Sequence, residues 1–316
     1  MQTILGANGQ IAEELARELH RSFTTDIRLV SRNPKKINST DQLFPANLMD
    51  TEATDKAVEG SSIVYLTVGL PMNAQMWAEQ FPVMMRNVID ACKKHQCKLV
   101  FFDNTYMYDK TSEPQTEESP FVPVGQKSTV RAKMATMLLD EICNKNIKAV
   151  ICRAPEFYGP GKTQSITNSL IFDNIKQGKK LKVPIKDNTL RTLIWTPDAS
   201  RAMALIGNTP DTYNQTWHLP CDDNRLTYKE LINLASEVYL SSGQPGKNEF
   251  SYIIIKMWMF KLGSLFSKQA RELQELLPRY KYDNIFISNK FKSRFPNFKI
   301  TSYREGITEI MNGQRQ

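Results

Sequence analysis

The sequence of 316 residues predicts an α/β protein, a doubly wound parallel sheet followed by a smaller carboxyl-terminal lobe. Two observations carry this. Short runs rich in Ile, Val, Leu and Phe recur through the first half, at 3–5, 27–30, 63–68, 98–102 and 149–152, as strands buried on both faces require. Between them lie segments 10–21, 51–59, 74–94 and 128–144, with apolar residues at helical spacing. The third carries Met76, Phe81, Met84, Met85, Val88, Ile89 and Cys92, mostly three and four apart. Strand, helix and strand in repetition build a parallel sheet through right-handed crossovers.

The first strand runs into Leu5-Gly6-Ala7-Asn8-Gly9-Gln10-Ile11-Ala12, a G-x-x-G-x-x-A spacing at the start of a helix. Gly6 lets the chain turn sharply, and Gly9 lets the backbone approach a pyrophosphate with no Cβ in the way. Ala12 keeps helix and strand close, and the amides at the helix start face the negative charge. In this strand–turn–helix context the spacing predicts a Rossmann-type dinucleotide site lined by Gly6, Asn8, Gly9, Gln10 and Ile11. The second strand ends Val30-Ser31-Arg32-Asn33-Pro34-Lys35-Lys36, without a carboxylate. A carboxylate there would hold the ribose 2′-hydroxyl of NAD, whereas an arginine fork suits a 2′-phosphate. Ser31 and Arg32 therefore point to NADP, with NAD also accommodated.

Beyond residue 154 the rhythm loosens. A helix over 166–177, a strand over 190–195, a helix over 197–207, a strand over 215–219 and a helix over 227–240 capped by Thr227 are expected, then a closing helix over 302–311. Residues 1–154 form the dinucleotide-binding domain. Residues 155–316 form mainly a substrate lobe, with some segments returning to the first sheet. Such a lobe would fold over the carboxyl ends of the strands, where ligands of open α/β sheets bind.

Composition narrows the function classes. Apolar residues make up 41% and charged residues 23%, close to a soluble globular average. The five cysteines form no C-x-x-C pair, and the three histidines have no ligand-like spacing, so no metal site is expected. The net charge of +8 is spread along the chain without a nucleic-acid-binding motif; it would attract small anionic substrates. Met1-Gln2-Thr3-Ile4-Leu5 leads directly into the glycine turn, leaving no room for a signal peptide. The apolar stretch 252–266 is interrupted by Lys256, Lys261 and Gly263 and is too short to span a bilayer. A cytoplasmic protein is expected, with a small-molecule substrate and neither nucleic acid nor membrane as partner.

With these residues in place, the sequence resembles the NAD-dependent epimerase/dehydratase branch of the short-chain dehydrogenase/reductase superfamily over nearly its whole length. Ala46-Asn47-Leu48-Met49-Asp50 is similar to the family's Gly-Asp-Leu-x-Asp stretch beside the adenine, with Asn47 in place of Asp. Val64-Tyr65-Leu66-Thr67-Val68-Gly69 resembles the fourth strand and its cofactor-lining turn. Arg153-Ala154-Pro155-Glu156-Phe157-Tyr158-Gly159-Pro160-Gly161 resembles the family's Arg…Val-Tyr-Gly-Pro-Gly segment, and Trp195-Thr196-Pro197-Asp198-Ala199-Ser200-Arg201-Ala202 its Val-x-Asp-Val-Ala-Arg-Ala helix start. The resemblance implies cofactor contacts at Asn47, Leu48, Val68, Gly69, Pro155 and Phe157. It implies a substrate lobe after Pro155, with Phe157, Gln164, Ser165, Arg191 and Trp195 facing substrate. Arg191 would clamp a carboxylate or phosphate, or else pair with Asp187 or Asp198. The resemblance further implies a possible homodimer through the helices 74–94 and 128–144.

The chemistry departs from the family pattern. The family's Tyr-x-x-x-Lys pair, with a Ser or Thr after the fifth strand, moves the proton that accompanies hydride transfer. Here the strand end reads Phe102-Asp103-Asn104-Thr105-Tyr106-Met107-Tyr108, placing Asn104 at the Ser/Thr position. The helix segment Pro123-Val124-Gly125-Gln126-Lys127-Ser128-Thr129-Val130-Arg131-Ala132-Lys133 contains no tyrosine, and Gly125 and Thr129, or Pro123 and Lys127, stand in the pair's places. Two readings follow. In one, a displaced phenol, Tyr106 or Tyr108, works with Lys127 and Asn104 in an oxidoreductase or epimerase-like enzyme acting on a small carbonyl or hydroxyl compound or a nucleotide sugar. An unusual subgroup of the branch carries similar Asp-Asn-x-Tyr-Met-Tyr and Lys-x-x-Val-Arg-Ala segments. In the other, the chain binds NADP(H) without turnover as a sensor or regulator. Lys127 reads equally as a surface lysine, and the tyrosines as packing residues.

Overall fold

The structure, a computed structural model, describes residues 1–161, 163–241 and 250–313. In chain order the elements are β1 (Gln2–Leu5), α1 (Gln10–Ser22), β2 (Ile27–Ser31), β3 (Gln42–Pro45), α2 (Thr51–Val58), β4 (Ile63–Leu66), α3 (Ala74–Lys94), β5 (Lys98–Asn104), α4 (Gln126–Cys143) and β6 (Ala149–Ala154). Then follow β7 (Glu156–Tyr158), α5 (Asp173–Lys176), β8 (Leu181–Pro184), β9 (Leu190–Arg191), β10 (Leu193–Trp195), α6 (Thr196–Gly207), β11 (Gln215–His218), β12 (Leu226–Thr227), α7 (Tyr228–Ser241), β13 (Tyr252–Ile255), α8 (Met257–Phe266), α9 (Lys268–Gln274), α10 (Asn289–Arg294) and α11 (Tyr303–Asn312). They fall into two compact units: residues 1–107, 121–154 and 199–219, and residues 108–120, 155–198 and 220–316.

The first unit is the doubly wound sheet. Seven parallel strands lie in the order β11-β6-β5-β4-β1-β2-β3. The centre is apolar on both faces: β1 and β4 are buried along their whole length, which is why these runs read as continuous rather than alternating. Helix α1 turns Ile11, Ala12, Leu15, Ala16 and Leu19 inward, three and four apart. Helix α2 is capped by the Asp50 carboxylate accepting from Ala53 N at 2.8 Å, and α3 by Asn73 accepting from Met76 N at 3.1 Å. Helices α3 and α4 are tied by Glu141, which accepts from Arg86 at 3.1 Å and Lys93 at 3.0 Å. Together these pull the Glu141 carboxyl below its ordinary value, with the Asn146 amide contributing most.

Among the described residues the second unit gathers three two-stranded pairs, β7 with β10 and β8 with β13 parallel, β9 with β12 antiparallel. Its core is aromatic: Tyr158, Phe172, Trp195, Tyr228, Tyr280 and Tyr303 are buried among Ile171, Leu193, Leu231 and Ile307. The expected helix over 166–177 is in part a π-helical turn, Asn168–Phe172, running into α5. The expected strand over 190–195 is two strands. Thr192 divides them, its amide and hydroxyl both donating to the Asn284 carbonyl, at 3.1 and 2.7 Å. Helix α7 begins after Thr227, whose hydroxyl accepts from Glu230 N at 3.2 Å. Helix α11 begins in a capping box of Ser302 and Glu305. The five cysteines are all free. Among the described residues no helix is long and apolar enough to cross a membrane, and no group of His, Cys, Asp or Glu could hold a metal.

Candidate functional site

The glycine turn between β1 and α1 is a cradle shaped by what its residues lack. Gly6 sits at φ +96°, a conformation that disfavours any side chain, and a Cβ there would stand 2.8 Å from the backbone of Val68. The turn is pinned by Gly6 N and Ala7 N donating to the Val30 carbonyl, at 2.9 and 3.1 Å. At Gly9 the backbone is extended and a Cβ would meet only the Gly6 carbonyl at 3.6 Å, so the space above it is open. Gly9 is also the N-cap of α1 and supplies no side-chain acceptor, unlike the caps of α2 and α3. The positive end of a 13-residue helix therefore opens onto a space free of side chain at this residue.

The other residues of unit 1 expected to meet a cofactor border the same strand ends. Asn8 donates its amide to the Asn33 carbonyl at 2.8 Å, tying the turn to the loop after β2. Ile11 is buried, with its carbonyl accepting from Ser200 Oγ at 3.0 Å, so what it offers a ligand is main chain. Ser31 Oγ at the end of β2 is buried and has no hydrogen-bond partner among the described residues, a donor left over beside exposed Arg32. The Asp41 carboxylate stands before β3 at the opposite end of the sheet, where Gln42 pairs with Arg28, and accepts from Ile37 N and Asn38 N at 3.0 and 2.6 Å. Asn47 is exposed and Leu48 buried, Val68 half-buried and Gly69 exposed. The open cradle and the orphaned serine hydroxyl fit a nicotinamide dinucleotide. Pro155, buried, and Phe157, half-buried, belong to the second unit.

The catalytic candidates meet at the end of β5 and the start of α4. Asn104 Oδ1 accepts from Tyr106 N at 3.0 Å. The Tyr106 carbonyl in turn accepts from Ser128 Oγ, which also accepts from Val124 N at 3.3 Å. The first turn of α4 is thus sewn to the strand end. The Tyr106 ring is half-buried and stacks on Trp77, centroids 6.1 Å apart and planes within 6°. Trp77 donates its indole N–H to the Pro71 carbonyl at 2.8 Å. Lys127 is 1% exposed, which excludes the surface-lysine reading, since an ammonium is fully buried only where it is held. Tyr108 is completely buried and lies in the second unit.

Sequence reasoning missed the charge cluster that fixes this junction. Asp103, fully buried, receives Arg131 twice on Oδ1, from Nε at 3.0 Å and Nη2 at 2.6 Å, and Arg153 Nε on Oδ2 at 3.1 Å. Arg131 also donates to the Phe102 carbonyl at 3.2 Å and lies over the rings of Phe81 and Phe101. Arg131 stands one helical turn after Lys127, and Asp103 directly precedes Asn104, so the ion pair holds helix and strand end in one register. The signal was present: Asp103 and Arg131 lie inside the Asp-Asn-x-Tyr-Met-Tyr and Lys-x-x-Val-Arg-Ala segments.

Two of the expected substrate residues lie in the interior of the second unit. Arg191 is 1% exposed; its guanidinium pairs with Glu156 at 3.1 Å, donates to the Arg279 carbonyl at 3.0 Å and lies 4.6 Å from the Tyr280 ring centre. It is committed to the fold, and its acidic partner is Glu156 rather than Asp187 or Asp198. Trp195 is a core residue packed on Tyr158, centroids 5.1 Å apart.

Comparison with known proteins completes the picture. The sequence model described as the NAD dependent epimerase/dehydratase family matches residues 3–218. No curated protein matches the sequence. Among solved structures, the chain is similar to UDP-glucuronic acid 4-epimerase from Bacillus cereus in complex with NAD, with 14% identity, a TM-score of 0.77 and 99% of each chain covered. It is also similar to UDP-N-acetylglucosamine 4-epimerase from Bacillus cereus, with 13% identity and a TM-score of 0.75 over 98% of this chain and 95% of that one. A third is dTDP-glucose 4,6-dehydratase from Bacillus anthracis in complex with NAD, with 14% identity and a TM-score of 0.76 over 98% and 95%. At these identities the likeness is one of fold.

Proposed function

Since the chain belongs to the NAD dependent epimerase/dehydratase family, we propose that it is a nicotinamide-dependent oxidoreductase or epimerase-like enzyme acting on a secondary alcohol or carbonyl compound. The observation that carries this is the juncture at β5 and α4. Asn104, the Tyr106 main chain and Ser128 are joined by hydrogen bonds there, and a buried lysine stands beside them in sequence. Such an arrangement holds a phenol in one place, as a proton-transfer group needs.

In this reading the bare amides at the start of α1 hold the pyrophosphate, and Ser31 and Arg32 hold the ribose with its 2′-phosphate. The dinucleotide, when bound, supplies the hydride acceptor or donor. Tyr106 Oη exchanges the proton of the substrate hydroxyl, and Lys127, buried at the start of α4, assists it. Asn104 fixes the backbone from which Tyr106 projects. The phosphorylated cofactor is the preferred form because no carboxylate follows β2 at the strand end, where Arg32, Lys35 and Lys36 are exposed. Nucleotide sugars, on which the three similar structures' proteins act by name, are the substrate class to assay first.

The absence of a tyrosine from α4 favours a second reading, a cofactor-binding regulator without turnover. The discriminating experiment measures the thermal shift with NADPH and with NADH, then assays nucleotide sugars, ketones and aldehydes by absorbance and by product chromatography. Turnover that falls about a hundredfold or more in Tyr106→Phe supports the enzyme. Binding without turnover of any compound supports the regulator, and no thermal shift with either dinucleotide refutes both.

A further inference from the structure

Helix α8 is seated by one face and bare on the other. Apart from Lys261, Gly263 and Ser264 all its residues are apolar, yet none is buried. Met257 and Phe260 turn toward the core of the second unit and pack against it. At the angular step of an α-helix, Trp258, Leu262, Leu265 and Phe266 fall together on the opposite side. They are 62%, 55%, 70% and 86% exposed. Single exposed apolar residues are ordinary on a protein surface, but four sharing one helix face mark a contact surface.

Along this segment the charge is of one sign. Lys256 precedes the helix, Lys261 borders the apolar arc, Lys268 and Arg271 follow, and all four are exposed. No acidic residue occurs from Phe250 to Arg271. A second copy of the chain would bring two such sets of lysines around one seam with no carboxylate of the segment to meet them. We propose that α8 lies flat on an anionic phospholipid surface. Trp258, Leu262, Leu265 and Phe266 enter the boundary between head groups and acyl chains, and Lys256, Lys261 and Lys268 meet the phosphates. A helix this short rests on such a surface and cannot cross it.

The test is sedimentation of the full chain with vesicles of phosphatidylcholine containing phosphatidylglycerol, and with phosphatidylcholine alone. The chain sediments with the first and not the second, and added salt releases it. Lys256→Gln and Lys261→Gln each weaken binding about fivefold. Leu265→Glu combined with Phe266→Glu abolishes it without lowering the melting temperature, because both side chains are already in water. A blue shift of tryptophan emission on binding disappears in Trp258→Phe. The proposal is overturned if the chain ignores anionic vesicles, or if binding survives the double glutamate variant. It is equally overturned if ultracentrifugation shows a dimer that Phe266→Glu dissolves while vesicles leave the chain unbound.

Discussion

Each unit buries one carboxylate between two arginines, and the two clamps are built differently. In the first unit, the contacts to the carboxylate oxygens of Asp103 described above come from guanidiniums, Arg131 on one oxygen and Arg153 on the other. In the second, Glu156 divides its work. One oxygen faces Arg191 at 3.1 Å and Arg279 at 3.6 Å. The other faces hydroxyls, Thr167 at 2.8 Å, Tyr280 at 3.1 Å and Tyr228 at 3.2 Å. A guanidinium can only donate, whereas a hydroxyl both donates and accepts. The Glu156 clamp can therefore tolerate a neutral occupant and the Asp103 clamp cannot. The rigid clamp stands beside the candidate catalytic residues; the adaptable one holds together an aromatic core.

Replacing each carboxylate by its amide tests that difference most strongly. In Asp103→Asn the new NH2 group must face one arginine or the other, and two buried guanidiniums lose their counter-charge. A cost of about 3–5 kcal/mol is expected. In Glu156→Gln the amide oxygen can keep the arginines while its NH2 donates to two of the three oxygens of Thr167, Tyr228 and Tyr280, and about 1–2 kcal/mol is expected. Urea unfolding of both variants checks the order. Equal losses, or a larger loss at Glu156, would break the distinction.

A second pair of variants sharpens the assignment of ligand binding to the first unit. Gly6→Ala forces a side chain into a left-handed position and against the Val68 backbone, costing about 2–4 kcal/mol of stability. Gly9→Ala meets nothing closer than the Gly6 carbonyl at 3.6 Å, so the fold tolerates it while the space for a pyrophosphate is filled. The expected result is a nearly unchanged melting temperature for Gly9→Ala and a lost NADPH shift. Arg191→Met should do the reverse, melting early but keeping the shift. If Gly9→Ala still shifts with NADPH, the cradle is not where the dinucleotide binds.

These contrasts were legible in the sequence to unequal degrees. The strands β1, β2, β4, β5 and β6 were readable because burial on both faces writes itself as an unbroken apolar run. Helix α3 was expected over the range observed, since its apolar period is local. Strand β3 was not foreseen because it is an edge strand with exposed residues, and nothing in Gln42-Leu43-Phe44-Pro45 distinguishes it from a loop. The glycine turn was legible from spacing, whereas the partner of Arg191 was not. A search for a nearby carboxylate finds Asp187 and Asp198, while Glu156 arrives from β7 through tertiary packing. Lys127 shows the same limit: its burial is a property of how α4 meets β5, and no local pattern encodes it. The stretch 252–266 was readable as too short for a membrane span, but not as a helix with a bare apolar face.

The smallest effect separates the clamps by pH. Burial alone would raise the Glu156 carboxyl, but Arg279, Arg191 and the Thr167 hydroxyl outweigh it and hold it below its ordinary value of 4.5. A carboxyl depressed in the folded state stabilises the fold above its unfolded value, and that contribution is lost as pH falls through the folded value. The unfolded chain then takes up the proton first. The stability gap between the parent chain and Glu156→Gln should therefore stay constant from neutral pH to near 4.5 and narrow as the solution becomes more acid, because glutamine has no proton to gain. Melting temperatures recorded for both proteins across that range check it. A gap that persists unchanged well below 4.5 would mean that the arginines and hydroxyls around Glu156 recognise its shape rather than its charge.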